Sequence, residues 1–278
     1  MQDRKERGSL EMRAVWTKNR IHGLRQTFSF LVRGYADARV STVKDLKQNL
    51  WKRLWKETHV EYMPNDCVRI LLGNKPLQTT NGFPVVLPKT MESVAHLVAR
   101  EWNQLTPGSI GKYQLSLTSL VTRAIDMKTW KEQKNGEETL NVLYEQLMNY
   151  LDSDTVLVYA PSHEYEGKLL AEQKQRYFPL KANIEELFGL QLKYLDGDKG
   201  LIPNKQPLEV KRAAFQWLRQ QNHWRLACFE QITRSMKSFV IGMHMTMNKM
   251  DTKNAIECAN LETKYQTEKW GRLKEGKK

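Results

Sequence analysis

The spacing of apolar positions changes period near residue 90. Before it, His59 to Met63 alternates with the two-residue period of a half-buried strand, and Cys67 to Leu72 is a short apolar run. Asn65-Asp66, Gly73-Asn74-Lys75-Pro76 and Asn81-Gly82 separate these runs with turn chemistry, and Phe83 to Leu87 follows the last of them. Residues 51–88 therefore read as a compact antiparallel β unit. A unit this short buries too little surface to stand alone.

From Thr90 the pattern becomes helical. Met91, Val94, Ala95, Val98 and Trp102 recur at spacings of three and four, and Thr90 is placed to cap their helix. A loop at Pro107-Gly108 precedes helices predicted over 117–134 and 137–149, then a short extended segment over 155–159. A polar helix over 164–177, a second starting at 183–188 and a turn-rich stretch over 194–203 come next. Pro207 suits the first turn of a helix over 206–220, which breaks near Asn222. One long helix over 223–250 follows, its apolar face marked by Leu226, Phe229, Ile232, Thr233, Met236, Phe239, Val240 and Met243. Asp251 caps a last helix that runs to Trp270 and stops at Gly271. The predicted fold class is α+β, a small N-terminal antiparallel β domain packed on a larger all-helical C-terminal domain. Its boundaries fall at 51–89 and 90–271, with a linker over 36–50 and a basic tail over 272–278.

Composition agrees with a folded chain: 40% of residues are hydrophobic and 27% charged. The most apolar stretch, Phe239 to Met247, is short and interrupted by His244 and Thr246, so no integral membrane segment is expected. Cys67, Cys228 and Cys258 are odd in number and widely spaced, and read as free thiols. The net charge is +13, and residues 1–35 carry eight Lys/Arg against three Asp/Glu. Within that segment Met12 to Tyr35 has no acidic residue and interleaves its bases with Val15, Ile21, Leu24, Phe28 and Leu31. This is the composition of a mitochondrial transit peptide over 1–35, addressed to the matrix, with Arg33-Gly34-Tyr35 placed like a cleavage site. Asp3, Glu6 and Glu11 depart from that composition and make Met12 a second candidate start. The remaining basic excess keeps a mitochondrial RNA-binding or ribosome-associated protein open as a rival reading, although no RNP-type aromatic motif, KH loop or zinc knuckle is present.

Catalytic signatures are absent: no Walker loop, GxGxxG, GxSxG or HExxH occurs. The six histidines are scattered, and His244 among Met243, Met245, Met247 and Met250 reads as core. Asp152-Ser153-Asp154 reads as a turn and cap beside Leu157. No enzyme activity, metal or cofactor is expected. One position in the last helix stands out. On a helical wheel Glu262 falls inside a sector formed by Ala255, Cys258, Ala259, Leu261, Tyr265 and Gln266. A carboxylate amid small apolar residues requires either an internal ion pair or a place on a partner surface, and the sequence leaves both open.

Several segments, in order and spacing, resemble one family. They are Trp51 to Lys56 with His59-Val60, Leu72 to Thr79, and Pro84 to Pro88. Ala99-Arg100-Glu101-Trp102, Leu117 to Asp126 and Leu151 to Thr155 follow, then Tyr159-Ala160 with Gln173, and Lys237-Ser238. Leu261-Glu262-Thr263-Lys264-Tyr265-Gln266 with Trp270-Gly271 closes the set. Over roughly 51–271 the chain resembles the ATP synthase mitochondrial F₁ complex assembly factor 2 family, chaperones of the F₁-ATPase alpha subunit. It departs from that pattern at Tyr177 and Asn183, where the family often has tryptophan, and over 193–204. The resemblance implies a binding protein for the free alpha subunit, monomeric when free, with no catalysis, cofactor or nucleic-acid partner. It further implies a partner-binding set headed by Glu262, with Tyr265, Gln266 and Trp270 beside it and Glu268 as a second carboxylate.

Overall fold

Two extended runs joined by Asn65 and Asp66 form the first hairpin: strand β1 (Thr58–Met63) pairs antiparallel with β2 (Cys67–Leu72), Thr58 opposite Leu72 and Met63 opposite Cys67. Asn65 and Asp66 take positive φ of 74° and 50°, a conformation their short polar side chains tolerate. In this computed structural model residues 55–105, 115–200 and 205–271 are described. The expected transit peptide, the linker, Trp51 to Leu54, the Pro107-Gly108 loop and the basic tail lie outside them. The chain divides between Asp126 and Met127 into two compact units.

In the first unit β2 is the central strand. Strands β3 (Lys75–Pro76) and β4 (Val86–Pro88) both pair antiparallel with it, β3 at Leu71-Leu72 and β4 at Cys67 to Arg69. Lys75-Pro76 is thus strand rather than turn, because the chain has already reversed at Gly73, whose φ is 61°. Val68, Ile70, Leu77, Val85 and Leu87 are buried beneath helix α1 (Glu92–Asn103), which presents Ala95, Val98 and Ala99. Thr90 does not cap this helix. Pro88 opens a 3-10 turn over Lys89–Met91 that absorbs Thr90, and Met91 stands at the cap position with no side-chain bond. Asn103 pins the helix end to the sheet, its side chain accepting from the Thr58 N–H at 2.8 Å and donating to the Thr58 carbonyl at 2.7 Å. Helix α2 (Ser116–Glu132) is capped from α1: the Glu101 carboxylate accepts from the N–H groups of Leu117 and Thr118, both at 2.8 Å.

In the second unit the apolar stretch from Phe239 to His244 is the centre. It forms helix α7 (Phe239–Thr246), every residue of it through His244 buried. Helices α3 (Gly136–Asp152), α4 (Lys168–Phe188), α6 (His223–Met236) and α8 (Thr252–Trp270) pack around it, and α5 (Leu208–Gln220) packs on α3 and α4. His244 is core, as expected. Its Nδ1 lies 2.9 Å from the Val240 carbonyl, and burial lowers its pKa. Among the described residues no helix is long and apolar enough to cross a membrane. The architecture is α+β, as predicted. The second unit is not purely helical, because β5 (Val158–Tyr159) pairs in parallel with β6 (Leu195–Asp196).

Three elements differ from the periodicity. The expected single helix over 223–250 is two. Lys237 turns to φ 56° and ends α6, and Ser238 starts α7 by accepting from the Ile241 N–H at 3.0 Å. The two helices expected over 164–177 and from 183 are one, α4, which runs through Pro179. Leu169, Gln173, Tyr177, Leu180 and Ile184 keep its buried face continuous, and that burial outweighs the backbone bond lost at Pro179. The expected extended segment over 155–159 begins as a 3-10 turn, Thr155–Leu157, because Asp154 accepts from the Val156 N–H at 2.9 Å.

Where α6 and α7 cross, Gly242 permits the close approach. A Cβ built there would lie 2.4 Å from Thr233 Oγ1 and 2.9 Å from the Phe229 ring. Gly242→Ala is expected to lower unfolding stability by about 1–3 kcal/mol, the cost of overpacking a filled core. Denaturant titration checks this. An unchanged midpoint would mean that the two helices slide apart freely.

Candidate functional site

Helix α8 divides into a buried half and an emergent half. Asp251 caps its start, accepting from the Asn254 N–H at 2.8 Å. Ala255, Cys258 and Leu261 are then buried at successive turns. From Glu262 onward no residue of the helix is buried. The wheel therefore misplaces Glu262. The neighbouring helices bury that sector fully only as far as Leu261, and beyond it cover Tyr265 and Gln266 in part. Glu262 is exposed, and its carboxylate accepts from Gln266 Nε2 at 2.7 Å, one turn further on.

Bonds to α4 set the helix in place. Tyr177, fully buried, donates its hydroxyl to the Cys258 carbonyl at 2.8 Å, and burial drives its pKa far up, so it stays a neutral donor. Arg176 bridges Glu172 on its own helix and Glu257 on α8, at 3.0 and 2.9 Å, and the Glu257 carboxylate holds its pKa up. Tyr265 donates to Glu172 at 2.8 Å, a bond that raises the phenol pKa. A four-residue turn, Glu164–Gly167, completes the clasp. Tyr165, Glu166 and Gly167 all take positive φ, at 51°, 56° and 75°, which swings the Tyr165 ring onto Tyr265 with centroids 5.5 Å apart.

The five residues singled out in the sequence share the emergent half. Glu262 and Glu268 are exposed, Tyr265 and Gln266 are half-buried, and Trp270 is 59% exposed just before Gly271 ends the helix with φ 76°. The arrangement offers an exposed carboxylate with an amide bonded to it and aromatic rings alongside, a set suited to holding a protein surface. Two contributors escaped the sequence reading. Tyr165 comes from a strained turn that carries no periodic signal. Lys269 reads as one more surface base, yet its ammonium lies 5.2 Å from the Tyr165 ring centre and 5.4 Å from that of Trp270. Beside the start of α8 lies an open depression of about 510 Å³ lined by Arg176, Asn248, Lys249, Met250, Asp251, Asn254 and Cys258. Of its charged groups, Arg176 is engaged by two carboxylates and Asp251 by the helix it caps. Among the described residues no group of three His, Cys, Asp or Glu could hold a metal ion.

The other motif residues have structural work. Glu101 caps α2, and Trp102 donates to Thr118 at 3.1 Å. Asp152 holds Lys211 at 2.6 Å. Gln173 accepts from the Ala160 N–H at 2.7 Å and so fixes β5, and Ser238 starts α7. Glu262 accepts from Gln266 on its own helix and is exposed.

A model of the ATP12 chaperone protein family matches residues 52–185. Protein atp12, mitochondrial, of Schizosaccharomyces pombe is 40% identical over 230 residues, 83% of this chain and 77% of that protein. Protein ATP12, mitochondrial, of Saccharomyces cerevisiae is 31% identical over 254 residues, 82% of this chain and 77% of that protein. Among solved structures, the Atu1473 protein of Agrobacterium tumefaciens has a TM-score of 0.68 at 19% identity, covering 91% of each chain. Atp12 from Paracoccus denitrificans has a TM-score of 0.61 at 19% identity, covering 80% of this chain and 87% of that one. At such identities the two structures establish the fold alone. The two yeast proteins reach further, and with them the chain belongs to the ATP12 chaperone family.

Proposed function

We propose that this chain is a chaperone of the mitochondrial matrix that holds the free alpha subunit of F₁-ATPase until it assembles with beta subunits, and that the emergent half of α8 is part of the holding surface. The carrying observation is the 40% identity over 83% of the chain to Protein atp12, mitochondrial, of Schizosaccharomyces pombe. A subunit destined for a multi-subunit ring exposes apolar faces until its neighbours arrive, and exposed patches of that kind aggregate. A protein that covers them reversibly needs moderate area and polar contacts that fix orientation. Glu262, Gln266, Tyr265, Trp270 and Glu268 provide such contacts on an outward face. Membership of a chaperone family leaves the RNA-binding alternative without support.

The direct test is purified alpha subunit diluted from denaturant, with aggregation followed by light scattering. The chain at equimolar concentration is expected to suppress scattering and to co-elute with alpha on gel filtration. Undiminished aggregation and separate elution would reject the reading.

A further inference from the structure

Lys269 sits between two rings supplied by different elements. Tyr165 comes from the turn before α4, and Trp270 from the last turn of α8. The ammonium lies within 5.4 Å of both ring centres, inside the range of a cation–π interaction. Two features make this more than a chance surface contact. The turn that delivers Tyr165 has two non-glycine residues in left-handed conformation in succession, a strained arrangement that persists only when surrounding contacts over-determine it. The surroundings also favour a cation. Glu262 and Glu268 are exposed on the same half-helix, and the Glu172 carboxylate lies against Tyr265, which feels Glu268 as well. The same half-helix carries Lys264 as well as Lys269, so its excess of carboxylate appears only when Lys269 is displaced.

We propose that Tyr165 and Trp270 form a receptor for a guanidinium side chain of the bound protein, and that Lys269 is a resident stand-in displaced on binding. An arginine is the occupant with the right chemistry. Its planar, weakly hydrated guanidinium stacks on rings better than an ammonium and can pair at the same time with a carboxylate. The lysine that fills the site makes an exposed contact that an incoming arginine can replace. This rests on the reading of the chain as a holder of the alpha subunit, and it adds the chemistry of the recognised side chain.

The test turns on opposite signs. Lys269→Ala removes the competitor and is expected to tighten binding of purified alpha subunit by about 2–5-fold. Trp270→Leu and Tyr165→Asn are expected to weaken it by a similar factor or more. Asparagine suits Tyr165 because it tolerates the left-handed backbone, and circular dichroism checks that each variant is folded. Weakening by Lys269→Ala would make the lysine itself a contact and overturn the proposal, as would equal affinities throughout. A second arm needs no alpha subunit. Arginine methyl ester, compared with sodium chloride at equal ionic strength, is expected to shift the Trp270 indole NMR signal. That signal is assigned by its loss in Trp270→Leu, and half the shift is expected at lower ester concentration in Lys269→Ala. An indole signal that the ester leaves unmoved in both proteins would reject the receptor. Failure of wild-type chain to bind alpha, with the indole shift intact, would instead reject the alpha-subunit reading alone.

Discussion

Glu262→Lys is expected to abolish capture of the alpha subunit while leaving the fold intact. The two halves of that expectation have separate causes. Glu262 lies beyond the last buried residue of α8 and is exposed, so reversing its charge disturbs no core packing. Surface changes of this kind typically shift stability by about 0.5 kcal/mol or less. The bond from Gln266 is lost, but that amide is half-exposed and water can replace the carboxylate. At a docked surface the same reversal replaces attraction by repulsion where water has been excluded. Loss of a desolvated charge pair costs about 2–5 kcal/mol, which is about 30-fold or more in affinity. Unfolding midpoint and light scattering with alpha subunit measure the two halves independently. Normal suppression of aggregation by the folded variant would remove Glu262 from the holding surface. Glu262→Gln separates charge from shape. It keeps the hydrogen-bonding outline, so an intermediate loss is expected if attraction to a cation matters.

The largest expected loss of stability is at Asp154. Its buried carboxylate accepts from the Val156 and Val240 N–H groups, each at 2.9 Å, and is also bonded to the Ser238 side chain and the Phe239 N–H. One side chain thus starts the Thr155–Leu157 turn and, with Ser238, secures the start of helix α7. Asp154→Ala leaves these buried donors without an acceptor and is expected to cost about 3 kcal/mol. Burial outweighs the donors and pushes the Asp154 pKa up to about 6, above its unfolded value near 3.8. With the folded value raised, the native state holds the proton more tightly than the unfolded chain. The contribution is full below about pH 4 and is lost as pH rises through about 6, by up to about 3 kcal/mol. Asp154→Asn, which cannot ionise, is expected to remove that fall. The difference in unfolding free energy between wild type and Asp154→Asn, followed from pH 4 to 7, checks this. A difference that does not change across this range would mean that the donors hold the carboxylate at an ordinary pKa.

The residues that escaped the sequence share a cause. Period and turn chemistry locate elements whose own residues decide them: the β1–β2 hairpin through Asn65-Asp66, the start of α8 through Asp251, its end through Gly271. They fail where a distant residue decides. The break between α6 and α7 is held in part by Asp154, more than eighty positions away, which accepts from the Val240 N–H beside the Ser238 cap. The continuity of α4 through Pro179 depends on what buries Tyr177 and Leu180. The same holds for the site. The motif that ends in Trp270-Gly271 was legible as a string, but neither Tyr165 nor the role of Lys269 was, because the two meet only when the turn before α4 closes on α8.

The sequence by itself determined the α+β class, the family, the core position of His244, and the helix that carries Glu262. Each follows from local periodicity, capping chemistry or an ordered set of motifs, all readable along the chain. Only the tertiary structure decided that Glu262 faces outward. A helical wheel gives the direction of a side chain, while exposure depends on how far the neighbouring elements reach, and here the last residue they bury fully is Leu261.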